Sequence, residues 1–222
     1  LLIMFYLMLK KKNIIISLLL MILFLVFTAL VKNVDLDTIG PEGSIVGFSK
    51  INSFFHETIG FNNTCYIISD ILGYLILLLV PVFGVKGLIQ LIRRKNIMKV
   101  DPEILLMGLF YIIVLGFYVI FEKIIINYRP VLIDGMLEAS YPSSHTVLSL
   151  CVCGSAFIYN KFNKIFNKFN IIAIILMILT IIFRIVSGVH WFTDIIGGLL
   201  LSTTLIYLYY TIIDLIHCKN ID

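Results

Sequence analysis

Charge is scarce in this sequence. Only 14% of its 222 residues are Asp, Glu, Lys or Arg, against 60% that are hydrophobic, and the mean hydropathy is +1.07. A soluble domain of this length has no interior large enough for so much apolar surface, whereas lipid solvates it directly. The formal net charge of +4 is too small to argue for nucleic acid, and no basic patch interleaved with aromatics is present. The four cysteines make no disulfide framework: Cys151 and Cys153 fall inside an apolar segment, Cys65 has no obvious partner, and Cys218 lies at the far end. No cluster of carboxylates, or of Cys and His, has metal-ligand spacing, so neither metal nor cofactor is expected. Internal repeats and low-complexity segments are absent too. No A-x-A-like cleavage site closes the first long apolar run, which therefore reads as an uncleaved anchor.

Long hydrophobic runs are what the sequence does contain. Asn13 to Val31 is long enough to cross a hydrocarbon core of about 30 Å. A polar stretch follows from Lys32 to Asn63, with a surface helix expected around Ile51 to Thr58. Tyr66 to Ile92 forms a second span, with a kink expected near Pro81. Asp101-Pro102-Glu103 is a helix-start signal, and the third span runs from there to about Phe121. The fourth begins at Thr146 and reaches Phe162, a basic turn of Lys161, Lys164 and Lys168 follows, and the fifth and sixth spans cover Ile171 to Val186 and Asp194 to Ile213. The expectation is an all-α, integral membrane six-transmembrane-helix bundle forming a single domain over 1–222. Counting lysines and arginines on alternate sides places both termini in the cytoplasm, with twelve of the seventeen basic residues on that side. The loops after the third and fifth spans then share the outer face.

Those loops hold most of the ionisable groups embedded in apolar sequence. Around Phe183 to Gly198, Arg184, His190 and Asp194 stand at intervals of six and four. The second interval sets imidazole and carboxylate on one face if a helix runs through Trp191 to Ile195. A carboxylate that accepts one ring N–H of a histidine leaves the other nitrogen free to attack or to take a proton. Arginine offers a forked donor suited to phosphate. Glu122 to Pro130, EKIIINYRP, and Tyr141 to Thr146, YPSSHT, deliver Arg129, Ser143, Ser144 and His145 to the same face.

Together these three clusters, over 122–198, resemble the type 2 phosphatidic acid phosphatase superfamily, in its bacterial integral-membrane lipid phosphatase branch. Its motifs are a lysine separated by six residues from an Arg-Pro, a Pro-Ser-Gly-His, and an Arg-x5-His-x3-Asp. Here the third is intact from Arg184 to Asp194. The second reads Pro142-Ser143-Ser144-His145, with Ser144 in the glycine place. The first keeps Arg129-Pro130, but Glu122 occupies the lysine place and Lys123 is one residue too close, a rotation of about 100° on a helix. A long flexible lysine at a helix end can swing back toward the site, so the phosphate role is carried to Lys123, while Glu122 is expected to pair with Lys123 or Arg129.

The resemblance implies His190 as the nucleophile that forms a phosphohistidine, with Asp194 orienting it and stabilising the imidazolium. It implies His145 as the group that protonates the leaving alkoxide and then takes a proton from water. Arg129 and Arg184 would neutralise transition-state charge, with Ser143 and Ser144 offering donors at a helix N-terminus. His56 and His217 read as surface residues, and Asp134 and Glu138 as a solvated loop. The implied function is a metal-independent phosphatase of a lipid phosphate or diphosphate, such as undecaprenyl diphosphate, phosphatidylglycerol phosphate or phosphatidate. Its site would lie on the extracytoplasmic side of the cell membrane. A non-catalytic lipid-binding or scaffold protein of the same fold is the alternative, and a transporter is a weaker one, because the charges sit at the ends of the spans.

Overall fold

The computed structural model describes residues 2–163 and 168–219, with side chains over 12–163 and 168–217. Among the described residues the chain forms eight α-helices and no strand: α1 (Leu2–Asn33), α2 (Ser49–Ile59), α3 (Asn63–Leu77), α4 (Leu79–Arg94), α5 (Pro102–Lys123), α6 (Ser144–Phe162), α7 (Lys168–Val186) and α8 (Phe192–Lys219). Lys164, in the expected basic turn, lies outside the described residues.

Five stretches are long and apolar enough to cross a bilayer: Lys12–Asn33, Asn63–Arg94, Pro102–Lys123, Lys168–Val186 and Phe192–His217. Their outward faces are bare of partners, as at Ile112, which is 68% exposed, because lipid is the intended neighbour. This is a multi-pass membrane protein. The second stretch is α3 and α4 in sequence, broken by a turn at Leu78. Pro81 has no N–H for the carbonyl of Leu77, four residues back, so the ladder fails where the sequence places the proline.

The remaining long helix, α6, has the same 19 residues as α7 but falls outside the apolar set, and its packing gives the reason. It contacts α3, α5, α7 and α8, so little of it meets lipid. Its hydroxyls are answered within the protein: Ser149 donates to the Thr146 carbonyl at 3.1 Å, Ser155 to the Val152 carbonyl at 3.0 Å, and Tyr111 pairs with Ser155 at 2.9 Å. A helix enclosed by other helices gains from small polar residues that let its neighbours approach.

Among the described residues, aromatic side chains pack against one another at one end of the bundle. Phe83 meets Tyr159 edge-on at 5.2 Å, and Phe110 lies 5.0 Å from Tyr209. Below them His217 stacks on Phe162 at 4.7 Å and pairs with Glu103. His217, expected at the surface, keeps 35% of its side chain exposed and is anchored there by Glu103. Glu103 is 4% exposed, and a buried carboxylate draws in the nearest cation-forming group. The other end carries the loops: 34–48, then α2 lying across them, the long connection 124–143, and the short one 187–191.

Candidate active site

His190 occupies the connection between α7 and α8, and the chain there is shaped by a glycine. Gly188 has φ +65°, and a Cβ on it would stand 2.0 Å from the carbonyl oxygen of Gly60. Only glycine admits this backbone so close to another loop. The adjoining bond from the N–H of Asn62 to the Ser187 carbonyl, 2.9 Å, fixes the contact. Helix α8 begins at Phe192, so His190 and Trp191 precede it. The expected helical face shared by His190 and Asp194 is thus replaced by a turn, which Asp194 itself closes by accepting the Trp191 N–H at Oδ2, 2.9 Å. A short side chain in the first turn of a helix competes for the free N–H groups there.

Histidine and carboxylate still face one another. His190 Nδ1 is 3.6 Å from Asp194 Oδ2, and Ser140 stands between them. Its hydroxyl donates to Oδ2 of Asp194 and lies 3.3 Å from Nδ1. The second oxygen of Asp194 accepts from Asn127 at 3.3 Å. With the serine hydrogen committed to the carboxylate, its oxygen is left to accept from Nδ1–H, which leaves the lone pair of His190 on Nε2. Burial, then Arg129, Arg184 and His145, hold the ring well below the ordinary proton affinity of histidine, so it is neutral and nucleophilic at physiological pH.

His145 is the second residue of α6. Its Nε2 lies 3.2 Å from Asp70 Oδ1 on α3. Arg184, in the last turn of α7 and 1% exposed, donates from Nη1 to the same Asp70 oxygen at 2.8 Å and to Ser69 Oγ at 2.9 Å. Arg129 sits in the 124–143 connection, with Nε 3.0 Å from Glu138 Oε2 but off line for a hydrogen bond. Glu138 is therefore the ion-pair partner of Arg129, in place of Glu122 and in place of a solvated role. The cause is a local fold-back in which the N–H of Arg129 bonds the Glu138 carbonyl at 3.0 Å.

The loops are locked together from behind. Trp191 donates its indole N–H to the Tyr128 carbonyl at 2.7 Å. Asn52 of α2, fully buried, donates to Thr193 Oγ1 at 3.0 Å and accepts from the Thr193 N–H at 3.2 Å. His56, expected at the surface, packs 5.4 Å from the Trp191 ring, because α2 lies on the connection that holds it.

A cavity of about 790 Å³ opens beside these groups, lined by Arg129, Ser144, His145, Ser140 and His190 at its polar end and by residues of α3, α5 and α6 along its length. Tyr74, Leu77, Leu115 and Tyr118 line it and are nevertheless 66%, 41%, 60% and 48% exposed, so it opens sideways between α3 and α5. Five buried nitrogens of the cluster have no hydrogen-bond partner: Nε and Nη1 of Arg129, Nε of Arg184, Nδ1 of His145 and Nε2 of His190. Buried donors are ordinarily paired, and a tetrahedral oxyanion supplies acceptors in several directions at once.

Not every expected residue joins them. Ser143 is fully buried, its hydroxyl accepting from Thr146 at 3.0 Å and its N–H bonded to the Asp194 carbonyl; it braces α6 against α8 and does not line the cavity. Lys123 is exposed and off the cavity, whereas Glu122 lines it. The rotation of one residue is not undone by side-chain length. Ser140, Asn127 and Asp70 carried no signal in the sequence, since each is defined by a partner from a distant segment, and Glu138 is brought to Arg129 by the local fold-back of the connection.

The comparisons with known proteins agree with this geometry. The profile of the PAP2 superfamily matches residues 109–217. A crystal structure described as the first transmembrane PAP2-type phosphatidylglycerolphosphate phosphatase from Bacillus subtilis aligns over 89% of this chain and 96% of its own, with a TM-score of 0.62 at 21% identity. That likeness is one of fold. No curated protein matches in sequence. With Arg129, His145 and His190 lining one cavity, and Arg184 and Asp194 joined to them through Asp70 and Ser140, the motifs fall together inside the matched segment, and this chain belongs to the PAP2 superfamily.

Proposed function

We propose that the protein is a metal-independent phosphatase of a membrane lipid phosphate or diphosphate, working through a phosphohistidine on His190. The observation that supports this reading is the set of five buried nitrogens without a hydrogen-bond partner, drawn from all three motifs, with Arg129, His145 and His190 lining one cavity and Arg184 joined to His145 through Asp70. His190 Nε2 attacks phosphorus, the bond to the lipid oxygen breaks, and its electron pair leaves on that oxygen, which takes a proton from His145. Water then attacks the phosphohistidine while His145 removes its proton, and inorganic phosphate is released. Arg129 and Arg184 neutralise the charge on the equatorial oxygens. Ser140 and Asp194 hold Nδ1 and stabilise the imidazolium.

The sideways opening suits a substrate whose chain stays in lipid while its head group reaches the helix ends. Undecaprenyl diphosphate, phosphatidylglycerol phosphate and phosphatidate all meet that description, and the last but one is the substrate named for the Bacillus subtilis neighbour. The distribution of lysine and arginine supports six spans with α6 as the fourth, both termini in the cytoplasm, and the site on the extracytoplasmic side. One observation favours the non-catalytic lipid-binding alternative: Glu122 faces the cavity where the family has a lysine.

Phosphate release in detergent with EDTA, comparing wild type with His190→Ala on diphosphate and monophosphate lipids, separates the two. Release that survives chelation and vanishes in the variant is expected. Equal release from both proteins removes His190 as nucleophile, and lipid binding without release from either establishes the alternative.

A further inference from the structure

Arg184 and His145 come from different motifs and different helices, and a carboxylate outside every motif joins them. Asp70 lies on α3, well before the 109–217 segment that the family profile covers. A single oxygen, Oδ1, accepts from Arg184 Nη1 at 2.8 Å and stands 3.2 Å from His145 Nε2. The face of α3 around it is shaped for the same two groups. Tyr66, Ser69, Asp70 and Gly73 follow at helical spacing. The ring of Tyr66 lies 5.3 Å under the Arg184 guanidinium, and Ser69 accepts from the same Nη1 at 2.9 Å. A Cβ on Gly73 would come within 2.6 Å of His145 Cδ2. Each position of the stripe either binds the arginine or makes room for the histidine.

A carboxylate in a membrane helix is costly and is kept where it has partners and work. Here it determines which atoms remain for a ligand. With Nε2 turned to Asp70 at 3.2 Å, His145 presents Nδ1; with Nη1 bonded to Asp70 and Ser69, Arg184 presents Nε. Both of those nitrogens are buried and unpartnered. We propose that Asp70 is a positioning residue of the active site: it fixes His145 with Nδ1 toward the leaving oxygen and ties that histidine to the phosphate-binding Arg184. This rests on the phosphatase reading above. In the first step the P–O bond breaks, the leaving oxygen keeps the electron pair, and the proton passes from His145 Nδ1 to that oxygen. Nε2–H stays on Asp70 throughout, and Asp70 touches no substrate atom.

The test compares leaving groups. Asp70→Asn keeps the shape and removes the charge. Phosphatidate and a chain-matched aryl phosphate serve as substrates in detergent micelles, because an aryl oxide departs without needing a proton. Loss of general-acid function predicts a fall in kcat of about 10²-fold on phosphatidate, with KM little changed, and a fall below about tenfold on the aryl ester. His145→Ala shows the same split, and adding Asp70→Asn to it costs nothing further, as expected of residues acting as one unit. Equal losses on the two substrates, unchanged activity, or additive losses overturn the proposal. If Asp70→Asn does not yield folded protein, Asp70→Glu, which displaces the carboxylate, is held to the same unequal losses. Wild-type protein inactive on both esters overturns the phosphatase reading and the role of Asp70 with it. Active wild type with fully active Asp70→Asn overturns only the latter.

Discussion

At the scale of single residues, His190 is the decisive group, and its protonation state is open to direct measurement. Burial, followed by Arg129, Arg184 and His145, depresses its proton affinity. The folded ring therefore stays neutral well below pH about 6.5, where an exposed histidine is half charged. The unfolded chain binds that proton more readily, so this residue withdraws stability as pH falls below the same value and costs nothing above it. In NMR of histidine-labelled protein, the His190 signals are expected to report a neutral ring with its proton on Nδ1 at pH 6. Arg129→Ala should move the titration upward, and a midpoint at or above 6.5 in wild type would contradict the burial argument. His190, Asp194, His145, Arg129 and Arg184 are legible in the sequence alone, because five ionisable side chains in an apolar chain have few bland explanations. Ser140 and Asp70 are not. A serine in a polar loop and an aspartate in a span gain their meaning from a histidine 50 residues away in one case and an arginine 114 away in the other.

At the scale of elements, the start of α8 is held by a helix that makes no chemistry of its own. The sequence marks α2 as a surface helix, and the structure bears that out over Ser49–Ile59. What it could not mark is Asn52, the buried residue on its inner face. Its side-chain amide both donates to and accepts from Thr193, and also donates to the Gly47 carbonyl at 2.7 Å. Removing it strands the hydroxyl and N–H of Thr193 in a buried site, one residue from Asp194. Asn52→Ala is expected to lower stability by about 1–3 kcal/mol, seen as a lower Tm in detergent with helix content preserved; an unchanged Tm would show that water replaces the amide without loss. The break between α3 and α4 was legible, since Pro81 removes a donor wherever the helix is placed. The turn at Trp191 was not, because Asp194 serves a cap and a histidine at once and periodicity registers neither.

At the scale of the whole molecule, the bundle presents its cavity to lipid through the opening between α3 and α5, flanked by exposed Tyr74, Leu77, Leu115 and Tyr118. Leu77→Trp narrows that opening far from His190. It is expected to raise KM several-fold for long-chain lipid phosphates while leaving hydrolysis of a short-chain soluble phosphate ester unaffected. Equal effects on both would place entry elsewhere. The order of the five apolar stretches could be read from hydropathy, whereas α6, enclosed by α3, α5, α7 and α8, falls outside the apolar set for that same reason.

The stacked Phe162 and His217, with Glu103 and the aromatic pairs above them, pack the described residues at the end of the bundle opposite the loops. On the proposed reading the described cavity has a mouth among the loops and a slot in its wall. Whatever phosphate is cleaved must drain back through the mouth, into the compartment whose water entered to complete the reaction, while the shortened lipid slides out by the slot into the leaflet that supplied it. On that reading, turnover changes the chemistry of one leaflet and one aqueous phase.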